Sequence, residues 1–122
     1  MCIRDRSRML DPNPFETIAA ASGILNVFEK SHGRSTSDTV RFRGTPFTAG
    51  TFNNPASVDG ITGANIAKTA GYSITVGKRD SSGSITNTTD FYHFTVDTDT
   101  ATSGGESGGG ENCSAGPATL SA

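Results

Sequence analysis

The stretch Phe91-Tyr92-His93-Phe94-Thr95-Val96 decides the fold class. Its large apolar residues recur at every second position, which is the period of a strand with one face buried. Aromatic and β-branched residues suit a pleated, half-buried surface. Tyr92, Phe94 and Val96 therefore face a core, and His93, Thr95, Asp97 and Asp99 share the other face. The same period recurs upstream. Tyr72, Ile74 and Val76 alternate with Ser73 and Thr75, Val40 and Phe42 with Arg41 and Arg43, and Leu25 and Val27 with Asn26 and Phe28. Each predicts a strand, the one with Leu25 and Val27 running to Glu29 and the one with Val40 and Phe42 closed by Gly44.

Turn chemistry lies between these runs. Ser31-His32-Gly33 and Asp80-Ser81-Ser82-Gly83 read as reversals. Residues 45–60, with Pro46, Gly50, Asn53-Asn54-Pro55 and Asp59-Gly60, read as mostly loop. Ile61 to Ala67 fits a short helix or a strand. Residues 103–111 are Gly/Ser-rich and predict a flexible loop. A last short strand is expected around Thr119-Leu120. The reading is an all-β domain, a small antiparallel barrel or sandwich with long Gly/Ser/Thr-rich loops. Its core candidates are Leu25, Val27, Val40, Phe42, Ile61, Tyr72, Ile74, Val76, Tyr92, Phe94, Val96 and Leu120.

Composition agrees. Ser and Thr number 31 of 122 residues and hydrophobic residues make up only 33%, below the usual ~45–50% of globular domains. So thin a core predicts support from neighbouring domains or copies. The net charge of -2 gives no electrostatic support for nucleic-acid binding. No apolar run approaches the ~18 residues that a membrane helix needs. Two cysteines cannot build a disulfide framework.

The opening Met1-Cys2-Ile3-Arg4-Asp5-Arg6 resembles the translated end of a transposase-based sequencing adapter. Residues 1–6 are accordingly expected to be an artefact and are set aside from fold reasoning. The rest is expected to be a fragment of a longer chain from an assembled metagenome. Residues 7–22 read as a connector, because Pro12 and Pro14 bar regular helix or a central strand there. Phe15 to Ala21 fits one helical turn or a lead-in strand. The β-module spans residues 23–122.

Several constellations invite a chemical reading. His32 and His93 have no metal-ligand spacing, and Cys113 stands alone once Cys2 is set aside. A cation near Asp97 and Asp99 competes with a solvated strand end. Asp80-Ser81-Ser82-Gly83-Ser84-Ile85 echoes a calcium loop, but Lys78 and Thr89 hold the first and last ligand positions, which need carboxylates. There is no Gly-x-Ser-x-Gly elbow and no phosphate loop. Asn87-Thr88-Thr89 and Asn112-Cys113-Ser114 are sequons that matter only in a eukaryotic secretory setting. The residues thus point to no catalytic group, cofactor or metal. The alternative of a small enzyme requires two of His32, His93, Asp38 and Cys113 to converge in a pocket.

The order of the motifs carries a resemblance. His32-Gly33-x-Ser35-x-x-Asp38-x-Val40-x-Phe42-x-Gly44 is followed by Val58-Asp59-Gly60-Ile61, Gly71-Tyr72-x-Ile74-x-Val76, Phe91-Tyr92-x-Phe94-Thr95-Val96, Ala101-Thr102-Ser103 and Gly108-Gly109-Gly110. This resembles a small β-domain of tail and other virion structural proteins of tailed bacteriophages. It is similar in pattern to the first catalytic-cysteine half-domain of ubiquitin-activating enzymes, from which no active site carries over. Arg34 and Ser37 depart from the Leu and Gly usual around the turn, and residues 45–70 and 77–90 are longer than the compact form. The resemblance implies a structural virion module of tail or neck, assembling with other virion proteins and with copies of itself. It implies location in the virion after assembly in the host bacterial cytoplasm, with neither nucleic acid nor membrane as partner. His32, Gly33, Ser35, Asp38, Val40, Gly44, Tyr72 and Phe94 are then structural, with Asp38 or Ser35 tightening the reversal through backbone N–H groups. The alternative is a bacterial extracellular adhesive, pilin-like or carbohydrate-binding β-domain.

Overall fold

A computed structural model describes residues 8–11, 13–43, 57–66, 68, 70–97, 99–108 and 113–116. Residues 1–6, Gly44, most of the loop before Ser57, Gly109-Gly110, Asn112 and Thr119-Leu120 lie outside the described residues.

The strands are β1 (Arg8–Met9), β2 (Phe15–Thr17), β3 (Ile24–Phe28), β4 (Thr39–Arg43), β5 (Ser57–Val58), β6 (Ile61–Thr62), β7 (Tyr72–Ser73), β8 (Thr75–Val76), β9 (Lys78–Arg79), β10 (Ile85–Thr86), β11 (Phe91–Thr95), β12 (Ser107–Gly108) and β13 (Ser114–Gly116). One helical turn, α1 (Gly63–Ile66), follows β6. One sheet has the order β12-β2-β3-β11-β8 and the other β1-β13-β4-β7, and two small ribbons pair β9 with β10 and β5 with β6. All these pairings are antiparallel. Among the described residues the two sheets remain separate, so the architecture is a sandwich rather than a closed barrel.

The centre is β11 against β3, in register from Phe91↔Phe28 to Thr95↔Ile24. Tyr92, Phe94 and Val96 are buried, as are Leu25 and Val27. From the other sheet Val40, Phe42 and Ala115 meet them. Aromatic rings form the junction: Phe42 lies 5.1 Å from Phe15 edge-on and 5.1 Å from Phe94 stacked, and Tyr72 stacks 4.7 Å from Phe94. Such pairs add to area burial, by about 0.5–1.5 kcal/mol each.

Three local readings differ from the structure. Tyr72 to Val76 is not one strand. β7 pairs with β4, β8 pairs with β11, and the chain changes sheet at Ile74. Ile74 is buried, and its backbone bonds instead to Asp38 O and Ser37 N–H. Alternation persists through such a corner, so periodicity alone does not reveal it. Val76, at the edge beyond the corner, is only half-buried. Residues 103–108 are not free: Gly105 N–H donates to Thr17 O, and β12 pairs with β2.

The stretch read as a connector supplies β1 and β2, one to each sheet. The two prolines fall between these strands, and Phe15 is fully buried. For Ile61 to Ala67 the described part is both alternatives in succession, β6 and then α1.

Candidate functional site

Leu25, Val27 and Glu29 follow one another at the strand period, so the side that buries Leu25 and Val27 also receives Glu29. Glu29 is 2% exposed. An isolated buried carboxylate is costly and must be paired. Its partner is Arg34, five residues on, whose Nε donates to Oε1 at 3.0 Å and whose Nη2 donates to Oε2 at 3.3 Å. Tyr92 Oη donates to the same Oε1 at 2.6 Å. Arg34 also donates to the Ala115 carbonyl on the opposite sheet, at 3.3 Å. Burial works against the guanidinium charge, but Tyr92 and Glu29 beside it outweigh that and hold Arg34 above its ordinary pKa. Burial and the Glu29 charge push the Tyr92 phenol well above its ordinary value.

His32 completes this cluster. Its Nδ1 accepts the Arg34 N–H at 2.9 Å, so the ring proton sits on Nε2 and is donated to Phe91 O at 3.0 Å. The ring packs edge-on to Tyr92 at 5.3 Å. Gly33 has a φ of 67°, a conformation that suits a residue without Cβ. Asp38 Oδ2 accepts the Ser35 N–H at 2.8 Å, while Asp38 N–H donates to Ser35 O. The segment from His32 to Asp38 is thus a fixed loop between β3 and β4. Val40, Tyr72 and Phe94 lie in the core beneath it.

Asp59 organises the far end. Its carboxylate accepts Thr17 Oγ1 at 2.8 Å and the Gly104 N–H at 2.7 Å, with Ser103 N–H beside it. The Gly104 N–H above all, then Thr17 and the neighbouring amides, outweigh the effect of burial and hold this carboxyl below the usual range.

Each of the four groups named in the small-enzyme reading has described surroundings of its own. His93 alternates with Tyr92 and so faces away from His32, donating Nδ1–H to Gly77 O at 2.8 Å. Asp38 serves the Ser35 turn. Cys113 is fully buried, and burial pushes its thiol up to about 12. Asp97 pairs with Lys68, and Asp99 accepts from Asn65 Nδ2. Among the described residues no three His, Cys, Asp or Glu side chains gather as a metal site.

A groove of about 390 Å3 opens on the outer face of the five-stranded sheet, between β2, β3 and the β9–β10 hairpin. Asn26 lines it from β3 and bonds both backbone groups of Arg79, at 2.7 and 2.9 Å. Neither Asn26, Asp59, Glu29 nor Arg34 stands out as a site residue in the sequence. The available signal is strongest for Glu29, a carboxylate in phase with a buried strand face. For Arg34 it is the departure from the Leu that the resemblance implies at that position.

No family model matches this chain, and comparison with curated proteins and with solved structures finds no match.

Proposed function

We propose that this chain is a structural, non-enzymatic module of a phage virion protein, belonging to the tail or neck. The observation that carries the reading is how its reactive side chains are used. Glu29, Arg34, Tyr92 and His32 bond one another and the backbone inside the sandwich, and Asp38 and Asp59 clamp loops. The order of motifs from His32 to Gly110 adds the resemblance to virion β-domains. A module of this kind works by holding shape and by burying surface against copies and neighbouring virion proteins.

The test is mass spectrometry of phage particles purified from the sample that carries the sequence. Trypsin releases Gly44 to Lys68 as one peptide and Thr69 to Lys78 as the next. Both peptides at the stoichiometry of known virion proteins are expected. Their absence from particles, together with presence in the bacterial envelope fraction, would overturn the reading in favour of an extracellular adhesive domain.

A further inference from the structure

His32 is buried, and its two ring nitrogens are engaged in opposite roles. Nδ1 accepts the Arg34 N–H at 2.9 Å, and Nε2 donates to Phe91 O at 3.0 Å. The ring therefore bridges the loop backbone to β11. The chain just before it is tied to the lead-in of the same strand: His32 N–H donates to Thr89 O at 3.1 Å, and Ser31 N–H to the Asp90 carboxylate at 2.9 Å. The far half of the loop is held from elsewhere. Ser37 N–H donates to Ile74 O, Val76 N–H donates to Thr36 Oγ1, and Ser35 N–H donates to the Asp38 carboxylate. Between these two sets of ties lie Gly33 and Arg34, where the imidazole fastens the backbone N–H.

We propose that His32 is an acid-sensitive latch: a second proton on its ring, at Nδ1, frees the loop backbone at Gly33 and Arg34 from β11 while the two sheets stay paired. An imidazolium carries N–H on both nitrogens and accepts at neither. Two N–H groups cannot point at each other across 2.9 Å, so the ring and the Arg34 backbone must part. The titratable and charged groups around the ring are Glu29 at the end of β3, Arg34 in the loop, Tyr92 on β11, whose ring lies edge-on at 5.3 Å, and Asp90 in the turn before β11. From the other sheet β4 brings Phe42, stacked 6.3 Å from Tyr92, and β13 brings the Ala115 carbonyl to Arg34. Glu29 and Asp90 attract the added proton and Arg34 repels it, so charge alone does not decide the outcome. The loss of the acceptor does. His93 gives the contrast within the same chain, because it donates Nδ1–H to Gly77 O, a bond that an imidazolium keeps. The proposal is independent of the virion reading, because it concerns the folded chain wherever it works.

The experiment follows the 15N-labelled full chain through its two histidine rings and its backbone amides from about pH 7.5 to about pH 5. That range spans the ordinary imidazole value of ~6.5 and stays above the ordinary carboxylate value of ~4. At the upper end His32 is expected as the Nε2–H tautomer and His93 as the Nδ1–H tautomer. As the His32 imidazolium forms, amide shifts in residues 31–36 and 89–92 should move with it. The exchange protection of the Arg34 amide should fall about tenfold, the equivalent of one hydrogen bond, while β3 and the rest of β11 keep theirs. His32→Asn places a non-titrating carbonyl oxygen near the Nδ1 position and should hold the Arg34 amide protected across the whole range. The proposal is overturned if His32 stays neutral throughout, if its imidazolium forms without loss of Arg34 protection, or if protection is lost across both sheets at once. A folded His32→Asn protein that still loses Arg34 protection overturns it equally. If that variant does not fold, the wild-type titration decides alone.

Discussion

Replacing Arg34 by Met should be among the most damaging single changes available to this fold. The guanidinium makes two hydrogen bonds to Glu29 and one to Ala115 O, with both charged side chains 1% exposed. Arg34→Met leaves the Glu29 carboxylate inside the sandwich with Tyr92 Oη as its remaining side-chain donor among the bonds described above. Removing one partner of a buried pair costs about 3–5 kcal/mol. A domain of this size has only ~5–15 kcal/mol in total. With a urea slope of ~1.5 kcal/mol/M, the midpoint should fall by about 2–3 M. The assay is urea unfolding followed by far-ultraviolet circular dichroism. A triple variant, Glu29→Met with Arg34→Met and Tyr92→Phe, removes the stranded groups together and should be more stable than Arg34→Met alone. A midpoint shift below about 0.5 M for the single variant, or a triple variant no more stable than it, would refute this account of the buried pair.

Four further outcomes follow from the same geometry. Asp59 is held below the usual carboxylate range, chiefly by the Gly104 N–H, so its stabilisation is complete above the unfolded value of ~4 and is lost as pH falls through the folded one. Thermal melts from pH 6 downward should show this acid loss, and Asp59→Asn should flatten it. The chain has two tyrosines, and burial foremost raises both Tyr72 and Tyr92. Their neutral forms stabilise the fold below the unfolded value of ~10, and that contribution fades as pH rises. The rise in absorbance near 295 nm should therefore come at higher pH than for a free phenol, and an ordinary phenol titration in folded protein would contradict this. Cys113, pushed up to about 12 by burial, should resist thiol reagents at pH 8 until urea unfolds the protein, as peptide mapping can check. Gly104 has a φ of 86°, and a Cβ there would lie 2.6 Å from Ala19 Cα. Gly104→Ala should consequently cost more than about 1 kcal/mol, the lower end for strained backbone, read from the same urea curves.

Much of the fold is legible because period-two burial is a local signal. Leu25, Val27, Val40, Phe42, Tyr92, Phe94 and Val96 declare their faces within five-residue windows, and all are buried. The corner at Ile74 is not legible, since a strand that changes sheet keeps its alternation. β1, β12 and β13 are not legible as strands either, and β2 is so only as one of two alternatives for Phe15 to Ala21. Each is two or three residues long, too short to display a period, and each is defined by the neighbour it pairs with.

The polar clusters follow a different rule. Arg34 reaches Glu29 across five residues, but Tyr92 reaches Glu29 across 63 and Arg34 reaches Ala115 across 81. Thr17 meets Asp59 across 42 residues and Glu106 across 89. Contacts that distant leave no spacing in the chain, and their side chains look like ordinary surface polarity until the sheets stack. What the sequence does carry is the anomaly at each end: Glu29 where strand phase demands an apolar residue, and Arg34 where the resemblance implies Leu. Two charges that break apolar expectation within one turn are each other's natural partner, because neither can be buried alone. Together they mark a place where the loop from His32 to Asp38 is fastened to both sheets. The groove has no such anomaly. Its walls come from β2, β3 and the hairpin, and Asn26 bonds the Arg79 backbone there, a tie across 53 residues that only the folded chain brings together.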